Sequence, residues 1–467
     1  MTLKLSVLTL PFLMFVTQVQ AQQGPAELWL SHPESNILFE RQPGRLSFTT
    51  GTADSLAIEL SPDEKFQSVD GYGWALTGGS AHHLIKMDAA PRQALLEELF
   101  GTKGNGIGSS YIRLSIGASD LNEKVFSYND LPAGETDTAL LKFDLGPDKK
   151  DVIPVMQQIL RINPKIKVMG SPWSPPVWMK DNNDTRGGSL RPEYYHVYAK
   201  YLVKYIREMK KYGITIDAIT VQNEPLHPGN NPSLQMLAAD QAVFVRDHLG
   251  PMFKAEGLKT RIIIYDHNAD KPEYPISILN DTGAKKYIDG SAFHFYAGEI
   301  NALSKVHDAH PDRNIYFTEQ WVGAPGDMPR DLREHTRNLT IGAMRNWSKT
   351  VLEWNLAADP QSNPHTDRGG CDRCLGAVTI NGNDVKRNPA YYIVAHASKF
   401  IRPGSVRIGS TNSSVLPNVA FRTPDGKTVL LILNDTKAEL QFSIVEGKKH
   451  LVAMLPAGGI GTYVWKK

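Results

Sequence analysis

Two glutamates stand where apolar runs give way to polar residues, in a setting that allows acid–base and nucleophilic chemistry. Glu224 lies near the end of AITVQNEP (218–225), and Glu319 lies near the end of NIYFTEQ (314–320). If both runs are buried parallel strands of a barrel, their carboxylates emerge at the same end of the sheet. An ionised carboxylate beside one that holds a proton is the equipment of a retaining glycosidase. Position alone leaves open that the two glutamates are helix caps or ion-pair partners.

Aromatic residues gather at the same strand ends and favour a sugar as the ligand. Pyranose rings stack on the faces of such side chains, and a polar mouth rimmed with indoles suits a sugar better than phosphate or peptide. Any single one of these residues could instead belong to the core. The aromatic residues at or just past candidate strand ends are Trp173, Trp178, Tyr296, Trp321 and Trp354.

The elements that would position these side chains alternate between short apolar runs and amphipathic stretches. The segment 192–213 repeats apolar residues every three or four positions, with Pro192 in its first turn and Gly213 at its exit, and 234–248 has a similar pattern. This alternation predicts an α/β fold, a (β/α)8 TIM barrel. A doubly wound open sheet is the alternative, but no Gly-rich phosphate loop follows any strand. The eight candidate strands are 67–77, 111–117, 167–173, 218–225, 261–268, 290–296, 314–320 and 351–357.

The flanks of the predicted barrel have a different pattern. Residues 22–66 and 388–467 contain no comparable long amphipathic helix beyond 389–401. Short alternating runs separated by Gly, Asn and Asp predict antiparallel hairpins there. We therefore expect a catalytic barrel over 67–387 and an appended antiparallel β-sandwich domain built from the N- and C-terminal segments.

The charge balance and the N-terminus restrict the function classes. A formal net charge of +2 without a long basic run argues against nucleic acid as a partner. Lys4 precedes an apolar run over 5–16 that Pro11 interrupts, and Val-Gln-Ala follows at 19–21. This pattern predicts a cleaved signal peptide over 1–21 and hence a secreted or periplasmic protein, the alternative being a buried N-terminal element. No later run is long enough for a spanning helix, so we expect no integral membrane association.

The two cysteines form a C-x-x-C pattern in a Gly-rich segment. In an exported chain, Cys371 and Cys374 are expected to pair in one short disulfide. A zinc site is the alternative, but it would need two more ligands, and the nearby His365 and Asp367 make only a weak pattern. We expect neither a metal nor a cofactor.

Seven segments, in order along nearly the whole mature chain, carry a family resemblance. They are FQSVDGYGWALT (66–77), GSPWSPPVWMK (170–180), TVQNEP (220–225), HFY (294–296), FTEQWVG (317–323), EWNLA (353–357) and YYIVAHASKFIRPGSVRIGS (391–410). In these segments the chain resembles glycoside hydrolase family 30, the family of lysosomal glucosylceramidase and microbial β-1,6-glucanases. The combination is far more specific than the motif NEP alone.

The resemblance implies roles for the residues around the two glutamates. Glu224 would be the acid/base and Glu319 the nucleophile. His294 and Tyr296 would support the nucleophile, with Tyr296 also facing the substrate, and Arg113 would keep it ionised. For Arg113 and His294, a structural ion pair or a core hydrogen bond is the alternative.

Four further positions would hold the sugar. By the resemblance, Asn223 would bind the 2-hydroxyl group beside the nucleophile. Asp120 and Trp173 would bind hydroxyl groups on the far side of the ring, and Trp354 would form part of the platform beneath it.

The implied activity is hydrolysis of β-D-glucosyl linkages with retention, on glucosylceramide, a β-1,6-glucan or a smaller β-glucoside. Alternatives are a retaining glycosidase of other sugar preference (xylanase or β-xylosidase, β-fucosidase, β-galactosidase) and a non-catalytic carbohydrate-binding barrel. The chain departs from the family pattern at Trp74, at Gly78 and in the loop 365–380. We expect these departures at the rim of the pocket, where they would affect the leaving-group side of the substrate.

Overall fold

The computed structural model describes residues 24–466, so the predicted signal peptide over 1–21 lies outside the described residues. In chain order, the strands are β1 (Glu27–His32), β2 (Ile37–Arg41), β3 (Ala57–Ser68), β4 (Gly71–Leu76), β5 (Tyr111–Ile116), β6 (Lys167–Pro172), β7 (Ala218–Thr220), β8 (Arg261–Ala269), β9 (Ile288–Gly298), β10 (Asn314–Glu319), β11 (Val322–Gly323), β12 (Ser348–Asn355), β13 (Ala357–Ala358), β14 (Cys374–Leu375), β15 (Val378–Asn381), β16 (Asp384–Arg387), β17 (Val406–Ser410), β18 (Asn418–Arg422), β19 (Lys427–Leu433), β20 (Leu440–Glu446), β21 (Lys449–Leu455) and β22 (Ile460–Lys466). The α-helices are α1 (Gly78–Lys86), α2 (Ala89–Phe100), α3 (Val152–Ile162), α4 (Tyr195–Lys211), α5 (Ala238–Val243), α6 (Gly250–Ala255), α7 (Glu273–Asn280), α8 (Thr282–Lys285), α9 (Ala302–Ala309), α10 (Met328–His335) and α11 (Pro389–Ser398).

Eight parallel strands close into a barrel in the order β10-β12-β4-β5-β6-β7-β8-β9, which confirms the predicted (β/α)8 fold. Each of the eight candidate strands contributes one of these strands. Inward-facing side chains fill the barrel with an apolar layer, as expected for a packed core rather than a pore. The members of this layer are Tyr111, Met169, Ala218, Ile263, Ala292, Tyr316 and Leu352.

In two barrel strands, tertiary hydrogen bonds replace sheet pairing that the prediction included. The run 67–77 divides at Val69, whose amide donates to Ser405 O, so β3 ends at Ser68 and β4 begins at Gly71. The run 218–225 forms only the three residues of β7. Beyond β7, the amide of Asn223 donates to Pro172 O.

The helix signals of the sequence correspond to helices that cover the barrel. In the segment 192–213, a 3-10 turn over Pro192–Tyr194 leads into α4, and Gly213 follows the helix with a φ of +80°. The segment 234–248 begins as a loop, because Gln235 donates its amide to Gly188 O, and becomes helical only at α5. A π-helical turn over Phe244–Leu249 joins α5 to α6.

Nine of the remaining strands form a second body from both ends of the chain, as the predicted β-sandwich requires, while β11 pairs with β14 and β13, β15 and β16 form a small separate sheet. The sheet order β2-β1-β22-β19-β18-β17-β3-β20-β21 combines N-terminal and C-terminal strands, and all its pairs except β20 with β3 are antiparallel. Phe442 of β20 packs edge-on against Tyr463 of β22, with ring centroids 6.2 Å apart. Strands that are distant in the hydrogen-bonded order therefore share one core.

Helix α11 lies between barrel and sandwich. Trp74 of β4 is buried and donates its indole N–H to Ala390 O at the start of this helix. Trp74 thus lies on the outer face of the barrel, and its expected place at the pocket rim is wrong. His396 of the same helix contacts the sandwich through the hydroxyls of Ser31 (2.8 Å) and Thr462 (2.9 Å). The domain boundaries at 66 and 387 stay predictions.

Within residues 24–466, no helix is both long enough and apolar enough to cross a membrane.

Candidate active site

Glu224 and Glu319 emerge at the same end of the barrel, from β7 and β10. Glu319 is the last residue of its strand, and Glu224 lies four residues past β7. Glu224 has a φ of +45°, a region that non-glycine residues rarely adopt. Two backbone hydrogen bonds hold it there, from its own amide to Asp266 O (3.0 Å) and from the amide of His227 to its carbonyl (2.9 Å). Both side chains are buried, with exposures of 6% and 5%.

Arg113, in the middle of β5, connects Glu319 to Asn223, the residue that precedes Glu224. Its guanidinium is fully buried and donates to Oε2 of Glu319, to Oδ1 of Asn223 (2.7 Å), to Oδ2 of Asp266 (2.8 Å) and to Oγ of Ser171 (3.1 Å). Burial alone would lower the pKa of Arg113, but the charges of Asp266 and Glu319 raise it above its ordinary value. The site therefore contains a permanent positive charge directly against Glu319.

Asp266, near the end of β8, is the functional residue that sequence reasoning missed. It is fully buried, and it accepts from Arg113 and lies 3.2 Å from Nε2 of His294. Burial opposes its charge, but Arg113 and His294 hold the pKa of Asp266 well below its usual range. The strand-end signal that singled out the two glutamates was also present here, in RIIIYDHN. Three hydroxyls donate to its carboxylate at 2.7 Å, those of Ser171, Thr220 and Thr318.

His294 joins three carboxylates through one ring. Its Nδ1 lies 3.1 Å from Oε1 of Glu224 and 3.7 Å from Oε1 of Glu319, and its Nε2 faces Asp266. Burial would lower the pKa of His294, but the charge of Glu319 and the hydrogen bonds to Asp266 and Glu224 raise it to about 9. Because Nδ1 of His294 lies near both glutamates, it also limits their separation. The two Oε1 atoms cannot lie farther apart than the sum of their distances to Nδ1.

The two glutamates differ in the direction in which their surroundings shift the pKa. Burial and the charge of Glu224 raise the pKa of Glu319, against the charges of His294 and Arg113. Burial would also raise the pKa of Glu224, but the hydrogen bond and charge of His294 bring it below its ordinary value. The lowered pKa of Glu224 and the raised pKa of His294 describe an ion pair in which His294 Nδ1 carries the proton and faces Oε1 of Glu224.

The residues expected to hold a sugar surround this centre. The rings of Trp173 and Trp354 stack with centroids 5.4 Å apart, and the guanidinium of Arg113 lies 4.9 Å from the Trp173 ring. The indole N–H of Trp173 has no protein partner among the described residues. The Tyr296 ring is partly exposed, and its hydroxyl donates to Oε1 of Glu319 at 3.0 Å.

Asp120 is buried at the same mouth. Burial, reinforced by the charges of Glu319 and Glu224, raises the pKa of the Asp120 carboxyl to about 8. A carboxyl group that stays protonated at neutral pH can donate a hydrogen bond as well as accept one.

Trp178 and Trp321, the other two strand-end aromatics, do not join the carboxylates. Trp178 donates to Asn129 O (3.0 Å) and lines a neighbouring cavity of about 610 Å³ that begins one residue past Trp173. Trp321 packs, together with Cys371, against the cluster that contains Trp173, Trp354 and Cys374.

The loop after β13 closes one side of the mouth. A disulfide joins Cys371 of this loop to Cys374, the first residue of β14, so the two sulfurs are not available as zinc ligands. The amide of Thr366 donates to Asp120 O (2.9 Å). Gly78, another departure from the family pattern, packs against Asn122. A Cβ at this position would come within 1.9 Å of the Asn122 side-chain nitrogen.

Comparison with known proteins decides the family. The model of the glycosyl hydrolase family 30 TIM-barrel domain matches residues 69–401, and the model of the family 30 β-sandwich domain matches residues 404–463. The chain belongs to glycosyl hydrolase family 30. It is therefore a glycoside hydrolase, and the resemblance found in the sequence is confirmed.

Relatives within family 30 differ in the names of their activities. An endo-1,6-beta-D-glucanase of Neurospora crassa is 34% identical over 418 residues, 85% of each chain. The lysosomal acid glucosylceramidase of Mus musculus is 29% identical over 445 residues, 89% of this chain and 84% of that one. The solved structure of the endo-beta1,6-glucanase BT3312 superimposes with a TM-score of 0.88 at 34% identity, covering 95% of this chain and 100% of that one.

Proposed function

We propose that this family 30 hydrolase is an exported, retaining β-glucosidase that cleaves β-1,6-glucan. In the proposed reaction, Glu319 attacks the anomeric carbon while Glu224 protonates the departing oxygen. Glu224 then removes a proton from water, which hydrolyses the glycosyl–Glu319 ester with net retention. The observation that carries the proposal is the pair of buried carboxylates around one histidine nitrogen.

The separation of the pair supports retention over inversion. Retaining enzymes place their carboxyl groups ~5–5.5 Å apart, whereas inverting enzymes leave ~6.5–9.5 Å for a water molecule. His294 Nδ1 lies 3.1 Å from Oε1 of Glu224 and 3.7 Å from Oε1 of Glu319, so most of the inverting range lies beyond the largest separation that these two distances allow for the two oxygens.

The contacts of each glutamate support the division of roles. Glu319 accepts from Arg113, whose charge persists at every working pH, and from the Tyr296 hydroxyl. Both donors favour a charged nucleophile. Glu224 contacts His294 and the amide of Asn230 (3.2 Å), so the proton that it needs is one hydrogen bond away.

The proton affinity of Glu224 should change during the cycle. While Glu319 is charged, its nearby negative charge favours a protonated Glu224, which is the form needed as the acid. Once Glu319 becomes a neutral ester, that repulsion disappears and the pKa of Glu224 falls. Glu224 is then more readily ionised and can act as the base.

The sugar would lie between the aromatic pair and the carboxylates. In the proposal, Trp354 and Trp173 form the platform, and the unpaired indole N–H of Trp173 donates to a sugar hydroxyl. The protonated carboxyl of Asp120 and the amide of Asn223 bind further hydroxyl groups. All four side chains are buried, so water is excluded from the hydrogen bonds that form in the transition state.

The choice of glucan over glycolipid rests on similarity and on space. The relatives and the solved structure at 34% identity are named as β-1,6-glucanases, against 29% for the mouse glucosylceramidase. The cavity beside Trp173 offers room for further sugar units, and Pro232 in its wall lies two residues from Asn230, which contacts Glu224. The pattern of residues 1–21 is the basis for proposing export.

Sugar release by the purified mature protein tests the proposal. β-1,6-Glucan and glucosylceramide are offered side by side, with Glu319→Ala as the blank and Glu299→Ala, an exposed carboxylate beyond β9, as the matched control. We expect release from the glucan, unchanged by Glu299→Ala, with the β-anomer as the first product seen by NMR. A first product in the α form would refute retention, and release from the lipid alone would refute the substrate.

A further inference from the structure

Glu224, His267 and His294 bring three potential metal ligands into one buried cluster. Oε1 of Glu224 lies 3.1 Å from Nδ1 of His294 and 3.9 Å from Nδ1 of His267, and each of the three residues offers a ligand atom within 4.8 Å of those of the other two. A tetrahedral zinc ion with Zn–N bonds of 2.0–2.1 Å separates its ligand atoms by about 3.4 Å. Small side-chain movements would therefore bring the three atoms into coordination distance.

His267 supplies the observation that hydrolysis alone does not explain. Its side chain is only 8% exposed, and its Nδ1 is buried without a hydrogen-bond partner among the described residues. Buried polar atoms are nearly always paired, so a lone nitrogen turned toward a carboxylate requires a reason. Nothing in the proposed reaction uses it.

His294 is already held as a metal-binding histidine is held. Its Nε2 lies 3.2 Å from Oδ1 of Asp266, which leaves Nδ1 to face Glu224. Asp266 is itself fixed by Arg113 and by three hydroxyls. A carboxylate behind the far nitrogen of a histidine orients the ring and strengthens its near nitrogen as a ligand.

We propose that Glu224, His267 and His294 bind a transition-metal ion of the zinc type, and that the bound ion inhibits hydrolysis. Two imidazoles and one carboxylate suit zinc, whereas Mg²⁺ and Ca²⁺ require oxygen ligands. When the ion binds, the proton on Nδ1 of His294 leaves to solvent. The ion then occupies the carboxylate that must protonate the departing oxygen.

Cobalt spectroscopy tests the binding step without any substrate. Co²⁺ added to the intact protein should give the visible absorption of a low-coordinate nitrogen–oxygen site, and Zn²⁺ should abolish it by displacement. His267→Gln should weaken Co²⁺ binding at least ~10-fold, as losses around a metal site commonly do. His365→Gln, which alters a histidine of the loop after β13 outside the cluster, should leave it unchanged. Because no turnover is measured, a wrong substrate assignment cannot imitate failure of this proposal.

Inhibition kinetics test the consequence. Zn²⁺ should inhibit the wild-type enzyme while Mg²⁺ at the same concentration does not, and EDTA should restore the rate. His267→Gln, compared with its own uninhibited rate, should require at least ~10-fold more Zn²⁺ for half inhibition. Wild-type Co²⁺ affinity in His267→Gln, an equal loss in His365→Gln, or equal inhibition by Mg²⁺ would each overturn the proposal.

Discussion

In the proposed mechanism, Glu319 and Glu224 serve different steps, so their removal should have different and separable effects. Glu319→Ala removes the atom that forms the covalent bond, and we expect no measurable turnover from a folded protein. Glu224→Ala should slow hydrolysis at least ~100-fold, the usual scale of general acid–base catalysis. On substrates with good leaving groups, azide should restore part of the Glu224→Ala rate, because the small anion attacks the glycosyl-enzyme without a base.

Steady-state rates with and without azide measure this difference, and circular dichroism checks that both variants fold. Rescue of Glu319→Ala but not of Glu224→Ala would reverse the two roles. A rate reduction well under ~100-fold in either variant would remove that residue from the proposed mechanism.

Asp266 should matter to stability as much as to chemistry. Asp266→Asn keeps the shape of the side chain but removes the buried charge that compensates Arg113 and His294. Breaking a buried ion pair by removing one partner commonly costs ~3–5 kcal/mol, and we expect a loss of that order in the free energy of unfolding. Urea denaturation measures it.

Asp289→Asn is the matched control, because this carboxylate accepts from the Tyr316 hydroxyl (2.6 Å) at the opposite end of the barrel and is only half-buried. We expect a smaller loss there. Equal losses of unfolding free energy in both variants would mean that the buried charge of Asp266 contributes no more to stability than the half-buried charge of Asp289.

The two glutamates could be found from the sequence because each follows an apolar run, whereas the network around Asp266 could not. Its partners come from β5, β6, β7, β9 and β10, and no local pattern shows that five elements direct polar groups at one buried carboxylate. His267 was missed for the same reason, since its neighbour Glu224 is distant in the chain.

At the scale of elements, the sequence predicts the strands well and their ends less well. Hydrophobic runs mark where the barrel is buried, but the end of β7 depends on hydrogen bonds from Asn223 and Glu224 to Pro172 and Asp266. Those bonds form only in the closed barrel. They also turn Glu224 into its left-handed conformation, so the element boundary and the site have a common cause.

The disulfide loop, the segment 359–374 that contains the Cys371–Cys374 bond, should matter more for substrate binding than for catalysis. The loop contacts the mouth through Thr366, which bonds to Asp120 O, and through Asp367, whose carbonyl accepts from the Asn231 amide (2.9 Å). Replacing Cys371 and Cys374 together with serine frees a short loop, for which the chain-entropy model gives about 2 kcal/mol. We expect a raised KM with kcat changed little.

Steady-state kinetics on the substrate that the sugar-release assay identifies separate the two constants, and the wild-type protein treated with a reductant provides an independent comparison. A fall in kcat with unchanged KM would show that the loop supports the carboxylates rather than the substrate.

The whole molecule depends on α11, which joins the barrel to the sandwich through His396. The imidazole is fully buried between the Ser31 and Thr462 hydroxyls, and burial lowers the pKa of His396 to about 3. In the unfolded chain the same group has a pKa near ~6.5. The unfolded state therefore binds a proton that the folded state does not, between about pH 6.5 and pH 3, so this histidine lowers stability as the pH falls through that range.

Replacing His396 with glutamine tests whether acid weakens the molecule at this junction. An amide can keep a hydrogen bond to one of the two hydroxyls, but it has no proton to gain. We expect the variant to be less stable than the wild type at pH 7 and to lose less of its unfolding free energy between pH 6.5 and pH 4. Urea denaturation at a series of pH values measures both slopes. Parallel slopes would place the acid sensitivity elsewhere, whereas a flatter slope for the variant would mean that the buried junction of the two domains limits the stability of the enzyme in acid.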